Sequence, residues 1–160
     1  MADEGQLSKS SPPLGMYPSR LDDKGRIKLP AAFQQYLSSL PEKRLFVTSL
    51  DRRIAQIYPI EVWRQNEKFF QERKNPKVAR KIGFNAADLG VEAEMDSQGR
   101  ITFPPELRRE LGLEDQTLRL YAGSSGRIDV MSERMYEERR RESMTITDEE
   151  LDEAEAYGLN

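Results

Sequence analysis

The sequence predicts an α+β fold, mainly β with short helices, in which two tandem copies of one small unit pack about a pseudo-twofold axis. Three observations predict it. First, Leu21-Asp22-Asp23-Lys24-Gly25-Arg26-Ile27-Lys28-Leu29-Pro30 aligns without gaps on Met95-Asp96-Ser97-Gln98-Gly99-Arg100-Ile101-Thr102-Phe103-Pro104, 74 residues later. Second, Ile57-Tyr58-Pro59-Ile60-Glu61-Val62-Trp63 parallels Val130-Met131-Ser132-Glu133-Arg134-Met135-Tyr136 at an offset of 73. Third, a unit of about 50 residues cannot bury enough apolar surface alone, so two copies must share a core.

Each element follows from its residues. An apolar residue precedes Asp22 or Asp96; two polar residues and Gly25 or Gly99 then make a tight turn, where Gly supplies positive φ and Asp bonds nearby amides. Arg-Ile-x-Leu/Phe alternates with period 2, as a half-buried strand does, and Pro30 or Pro104 stops it. Phe33 and Leu37 give the first copy a helix face that ends before Pro41. In the second copy Pro105 suits the first helical position, Leu107 and Leu111 share a face, and Gly112 sits where a C-terminal cap belongs. Residues 45–48 and 53–58 are predicted strands around Asp51-Arg52, and 118–121 and 127–131 are predicted strands around Gly123-Ser124-Ser125-Gly126. Residues 60–81 read as helical, with Trp63 and Phe70 to one side and Lys68, Arg73, Lys74, Arg80 and Lys81 elsewhere, interrupted at Pro76. Thr147-x-x-Glu150 is a capping-box pattern that starts a short tail helix. The expected organisation is a disordered N-terminal extension (1–16), a first repeat (17–64), a basic helical linker (65–90), a second repeat (91–140) and an acidic C-terminal tail (141–160).

Two zeros narrow the function. Without Cys there is no disulfide framework, thiolate nucleophile, zinc knuckle or iron–sulfur cluster. Without His there is no Ser-His-Asp triad, imidazole base or His-ligated metal. Asp22 and Asp96 sit at equivalent turns, as the carboxyls of an aspartic protease dyad do. The turns read Asp-Asp-Lys-Gly and Asp-Ser-Gln-Gly, however, and an adjacent Arg would hold each Asp ionised. No catalytic residue, metal ligand or cofactor is therefore assigned, and no enzyme is expected. The formal charge of −3 averages two unlike parts. Six acids and no base follow Ser143, which leaves +3 on residues 1–142, and 43–81 holds eleven basic residues against four acidic. No apolar run approaches the ~20 residues of a membrane-spanning helix. Met1-Ala-Asp-Glu-Gly-Gln has neither a basic n-region nor an apolar h-region, so a cytoplasmic protein without a membrane partner is expected.

With its two copies of Asp-x-x-Gly-Arg-Ile-x-apolar-Pro, each followed by a short helix and a hairpin, the chain from about Tyr17 to Arg140 resembles the MraZ family, two-repeat members of the SpoVT/AbrB-like DNA-binding group. The second copy, through Pro105-Glu106-Leu107-Arg108-Arg109-Glu110-Leu111-Gly112-Leu113, is also similar to single-repeat AbrB proteins. The resemblance implies tandem swapped-hairpin AbrB-like units forming a β-barrel and a ring-shaped homo-oligomer. It also implies transcriptional regulation of division and cell-wall genes through short repeats in double-stranded DNA, in the nucleoid, with no small-molecule substrate.

Arg26 and Arg100 are the leading candidates for DNA contact, because an Arg at the root of a rigid turn can present its planar fork to a phosphate or to guanine. A structural salt bridge to Asp22 or Asp96 is the rival reading, and both can hold at once. Arg20, Lys24 and Lys28 complete a four-charge strip with Arg26, whereas Arg100 is flanked by Gln98 and Thr102. Arg108 and Arg109 match an arginine pair that contributes to DNA binding in AbrB-like relatives; Glu106 and Glu110 stand within one helical turn as alternative partners. The first copy has Gln34 and Gln35 at those positions. Arg73, Lys74 and Lys77 are expected to face solvent or a neighbouring subunit, and Tyr58, Trp63 and Tyr136 to anchor a core or interface. The acidic tail reads as an aid to solubility, with competition for the DNA-binding arginines as its rival role. An antitoxin-type module that binds a protein is the alternative to a DNA regulator.

Overall fold

Strands form where the sequence alternates. The computed structural model describes residues 11–72 and 74–160, so most of the expected N-terminal extension, and Arg73, lie outside the described residues. Strands β1 (Met16–Ser19), β3 (Leu45–Thr48), β4 (Ala55–Pro59), β5 (Val91–Ala93), β7 (Leu118–Ala122) and β8 (Ile128–Met131) make one antiparallel sheet in the order β1-β7-β8-β4-β3-β5. Strands β2 (Arg26–Lys28) and β6 (Arg100–Thr102) pair separately as an antiparallel ribbon. The helices are α1 (Ala31–Ser38), α2 (Ile60–Arg64), α3 (Glu67–Glu72), α4 (Pro76–Leu89), α5 (Pro105–Leu111), α6 (Glu133–Ser143) and α7 (Asp148–Ala156).

The fold is α+β with an antiparallel sheet, as expected. It is not mainly β: among the described residues helices hold more of the chain than strands, because the helical linker and tail add to the repeat helices and α6 forms where no helix is expected. No closed barrel is found among the described residues. The sheet ends at β1 and β5, and the ribbon strands are three residues long. Each is bounded by a turn on one side and by Pro30 or Pro104 nearby on the other; proline has no N–H to extend a ladder.

The strand order is unchanged when β1–β4 are exchanged with β5–β8. β1 pairs with β7 and β5 with β3, while β4 and β8 meet at the centre with Ile57 opposite Ile128. One apolar core lies beneath both pairs of strands. Ile27, Phe33, Val47, Ile57, Ile101, Phe103, Leu107, Leu120 and Ile128 are all fully buried in it. Tyr36 donates its hydroxyl to the Gly126 carbonyl at 2.8 Å, and burial pushes that phenol up from its ordinary range.

The helical region after β4 is three helices rather than one interrupted helix. Pro76 starts α4 instead of ending anything: Asn75 caps it by accepting from the Val78 amide, and proline fits the first turn, where no N–H is needed. Trp63 packs against Phe46 (4.7 Å) and Tyr58 (5.0 Å), so it anchors the core side of α2. Gly112 closes α5 at φ +62°, and Thr147 and Glu150 form the capping box of α7.

Candidate nucleic-acid interface

The two aspartate turns are built alike. In the first, Asp22 Oδ1 accepts the Lys24 and Arg26 amides, each at 2.9 Å, and Oδ2 accepts Arg26 Nε at 2.8 Å. In the second, Asp96 Oδ1 accepts the Gln98 and Arg100 amides, each at 2.9 Å, and Oδ2 accepts Arg100 Nε at 2.9 Å. The amide of Arg26 or Arg100, then its guanidinium, holds each carboxyl below the usual aspartate range against the opposing effect of desolvation. Each Asp therefore stays ionised beside its own arginine, the opposite of a dyad that shares one proton.

The salt bridge expected at each turn is present in both copies. Each arginine uses Nε on its Asp, and no bond to the terminal nitrogens of either is found among the described residues. The two guanidinium groups are equally exposed, so the structure does not set Arg26 above Arg100.

Pairing of β2 with β6 brings the two turns together. Arg26 lies opposite Thr102, Ile27 opposite Ile101 and Lys28 opposite Arg100. Residues directly opposite in an antiparallel pair point to the same face, and successive residues alternate. Ile27 and Ile101 are fully buried, so Arg26, Lys28, Arg100 and Thr102 form the outer face of the ribbon. Setting Lys28 against Arg100 costs free energy, since like charges directly opposite destabilise a sheet. Lys28 offsets this by donating Nζ to the Gln98 carbonyl.

The remaining candidates divide by what they touch. Arg20 and Lys24 are exposed, and neither forms an ion pair among the described residues. Arg108 is held: Nε donates to the Phe103 carbonyl at 3.1 Å, Nη1 pairs with Glu114 at 2.7 Å, and the guanidinium covers Gly25. Gln34, at the matching position of the first half, donates to the Leu29 carbonyl at 2.7 Å and covers Gly99 in the same way. Gly25 (φ +76°) and Gly99 (φ +77°) thus serve twice, supplying the left-handed turn and leaving room for a side chain of the other half. Arg109 is exposed and paired with Glu106 at 2.5 Å. Lys24, Thr102 and Arg108 line a cavity together with Glu92 and Glu94.

Sequence reasoning found the cations but not their shared face. Nor does residue order show that Thr102 lies opposite Arg26 or that Gln34 covers Gly99. The 74-residue offset was the available signal: equivalent residues of two symmetric strands can pair with each other, as Ile27 and Ile101 do. Among the described residues there is no cluster of three or more His, Cys, Asp and Glu able to hold a metal ion, and no helix is long and apolar enough to cross a membrane.

A basic face on a two-stranded ribbon, with Lys28 exposed and Arg26 and Arg100 partly so, is chemically suited to a polyanion. No family model matches the chain. Among curated proteins it is similar to the transcriptional regulator MraZ of Acidobacterium capsulatum, with 37% identity over 59% of this chain, and to that of Koribacter versatilis, with 36% identity over 59%. Both alignments span 65% of the relative's length. The MraZ regulator of Caldanaerobacter subterraneus subsp. tengcongensis is 30% identical over 88% of this chain and 94% of its own. At that identity and coverage, the chain belongs to the MraZ family.

Proposed function

We propose that the protein is a sequence-specific, DNA-binding transcriptional regulator that works as a ring-shaped homo-oligomer on short DNA repeats upstream of division and cell-wall genes. The observation that carries this reading is the cross-strand basic face of the ribbon, Arg26, Lys28 and Arg100 with Thr102. The names of the MraZ relatives support the regulatory role. A B-DNA major groove, about 12 Å wide, admits a two-stranded ribbon. Arg26 and Arg100, oriented by their aspartates, have terminal nitrogens to give to guanine or phosphate. Arg20 and Lys24 extend the positive strip toward the phosphates, while Arg108 and Arg109, already paired, contribute less. The two AbrB-like units, 17–64 and 91–140, each supply one ribbon strand. One ribbon binds weakly, and a ring that presents several to spaced repeats multiplies the affinity through effective concentration.

The test is fluorescence anisotropy with a duplex from upstream of the protein's own gene and a scrambled control, across a salt series. If Arg20, Lys24 and Lys28 each neutralise one phosphate while Arg26 and Arg100 read bases, log K falls against log salt with a slope of about −2.7 per ribbon. Replacing Lys28 by Ala brings the slope closer to zero by about 0.9. Replacing Arg26 and Arg100 by Gln removes the preference over scrambled DNA while assembly is kept. Salt-insensitive binding, or an unchanged preference in the Gln variant, would overturn the reading and turn the search to a protein partner.

A further inference from the structure

Two surfaces remain uncovered and have complementary chemistry. The first belongs to α3 and α4. Lys77, Arg80, Lys81 and Phe84 recur on the outer side of α4 at helical spacing, while Ala86 and Leu89 turn inward and are buried. Phe84 is 66% exposed, and the Arg52 guanidinium lies 5.8 Å from its ring centroid. Between α3 and α4, one helical turn before Phe84 at Arg80, runs a groove of about 430 Å³ lined by Phe70, Pro76, Ala79 and Arg80. Phe69 of α3 and Val78 of α4 are also exposed. Lys68 and Lys74 share Glu72, but Lys77, Arg80 and Lys81 form no ion pair among the described residues.

The second surface is α7 and its flanks. Leu151 and Ala154 lie three residues apart on one side of the helix, bordered by Glu150, Asp152, Glu153 and Glu155. Ile146 precedes them, Tyr157 and Leu159 follow, and Leu151 itself is 42% exposed. With six acids and no base after Ser143, this segment cannot neutralise itself.

We propose that α7 of one copy docks on the α3–α4 surface of a second copy, its apolar side in the groove and against Phe84 and its acids on Lys77, Arg80 and Lys81. Charge complementarity selects the occupant: the cationic, phenylalanine-bearing face fits an acidic amphipathic helix, and this chain carries one. In the single folded chain both surfaces are uncovered, so the contact that covers them comes from another copy. Because groove and tail are different surfaces, the contact is heterologous, and repeating it yields a ring if the rotation closes and a filament if it does not. The inference rests on the self-assembly reading above and makes no use of the ribbon.

Light scattering on size-fractionated protein tests it with two variants of the full chain, Phe84→Asp and Leu151→Asp. Both positions are exposed, and circular dichroism with thermal unfolding verifies that each variant folds. The expected wild-type mass is a multiple of 18.5 kDa, and each variant alone falls to a single 18.5 kDa chain. Mixed in equal amounts, the two variants form a two-chain complex, since one supplies an intact tail and the other an intact groove. Variants that keep the wild-type mass, or a mixture that stays single-chain, would overturn the proposal while leaving assembly by another surface intact. A wild-type chain that is itself monomeric would overturn both this contact and the ring, whereas the DNA reading fails separately, in the anisotropy of the ribbon variants.

Discussion

Replacing Gly25 by Ala probes how the two halves interlock. The new Cβ would enter a left-handed backbone, φ +76°, which costs about 1–2 kcal/mol for any residue with a Cβ. It would also stand 2.6 Å from Arg108 Nε and 2.7 Å from Nη1, so the guanidinium must leave. Departure forfeits the hydrogen bond to the Phe103 carbonyl, about 0.5–1.5 kcal/mol, and the partly exposed pair with Glu114, about 0.2–1 kcal/mol. The total is about 2–4 kcal/mol. Gly112 is the internal control: its φ is +62°, nothing lies within 4 Å of its added Cβ, and Gly112→Ala should cost only the backbone part, about 1–2 kcal/mol. Urea unfolding followed by Trp63 fluorescence measures both. In the double variant Gly25→Ala, Arg108→Ala the steric part vanishes, so the cycle should show a coupling of about 1–2 kcal/mol. If Gly25→Ala costs no more than Gly112→Ala, or if removing Arg108 does not relieve it, the guanidinium does not hold the turn of the other half and the reasoning is wrong.

The core beneath the ribbon and the aspartate turns give two further expectations. Ile101 is fully buried opposite Ile27, so Ile101→Ala should cost about 2–4 kcal/mol in the same urea assay, while Thr102→Ala on the outer face should be nearly neutral. Asp22 and Asp96 have lower pKa values folded than unfolded; their contribution is therefore complete above about pH 4 and is lost as pH falls through the folded values. Protection of the Arg26 and Arg100 amides against exchange, taken relative to the intrinsic rate at each pH, should fall over that acid range, and the double variant Asp22→Asn, Asp96→Asn should flatten the response; an acid limb unchanged in that variant assigns it to other carboxylates.

The sequence revealed elements more readily than partners. Period-2 alternation placed β3, β7 and β8 within a residue or so, and proline and glycine marked both ends of α5, because those signals are local. Nothing local tells Met16–Ser19 to pair with a strand about a hundred residues away rather than with its own half, so an open sheet took the place of the expected barrel. Alternation likewise put Arg26 and Lys28 on one face without saying that Arg100 shares it. The helical linker expected over 65–90 is divided at Pro76, which reads equally as a stop and as a first-turn residue; Asn75, the cap just before it, decides the matter. At Arg52, φ is +58° and the guanidinium spans Asn85, Asp88 and Glu110, which come from α4 and α5. That role depends on the packing of distant segments and leaves no trace in residue order.

The ribbon has one further property. A homodimer that paired two identical strands would present a face with no direction: turned end for end, it would look the same. Here the strands belong to one chain and have diverged, with Lys24 and Lys28 on one and Gln98 and Thr102 on the other, so the face has a more cationic strand and a milder one, and turning it end for end exchanges the two. Covalent linkage fixes the two at equal number, and each can change without changing the other. Such a face has polarity. Any elongated ligand laid across it meets a different surface when reversed, and copies arranged head to tail would all point the same way along it.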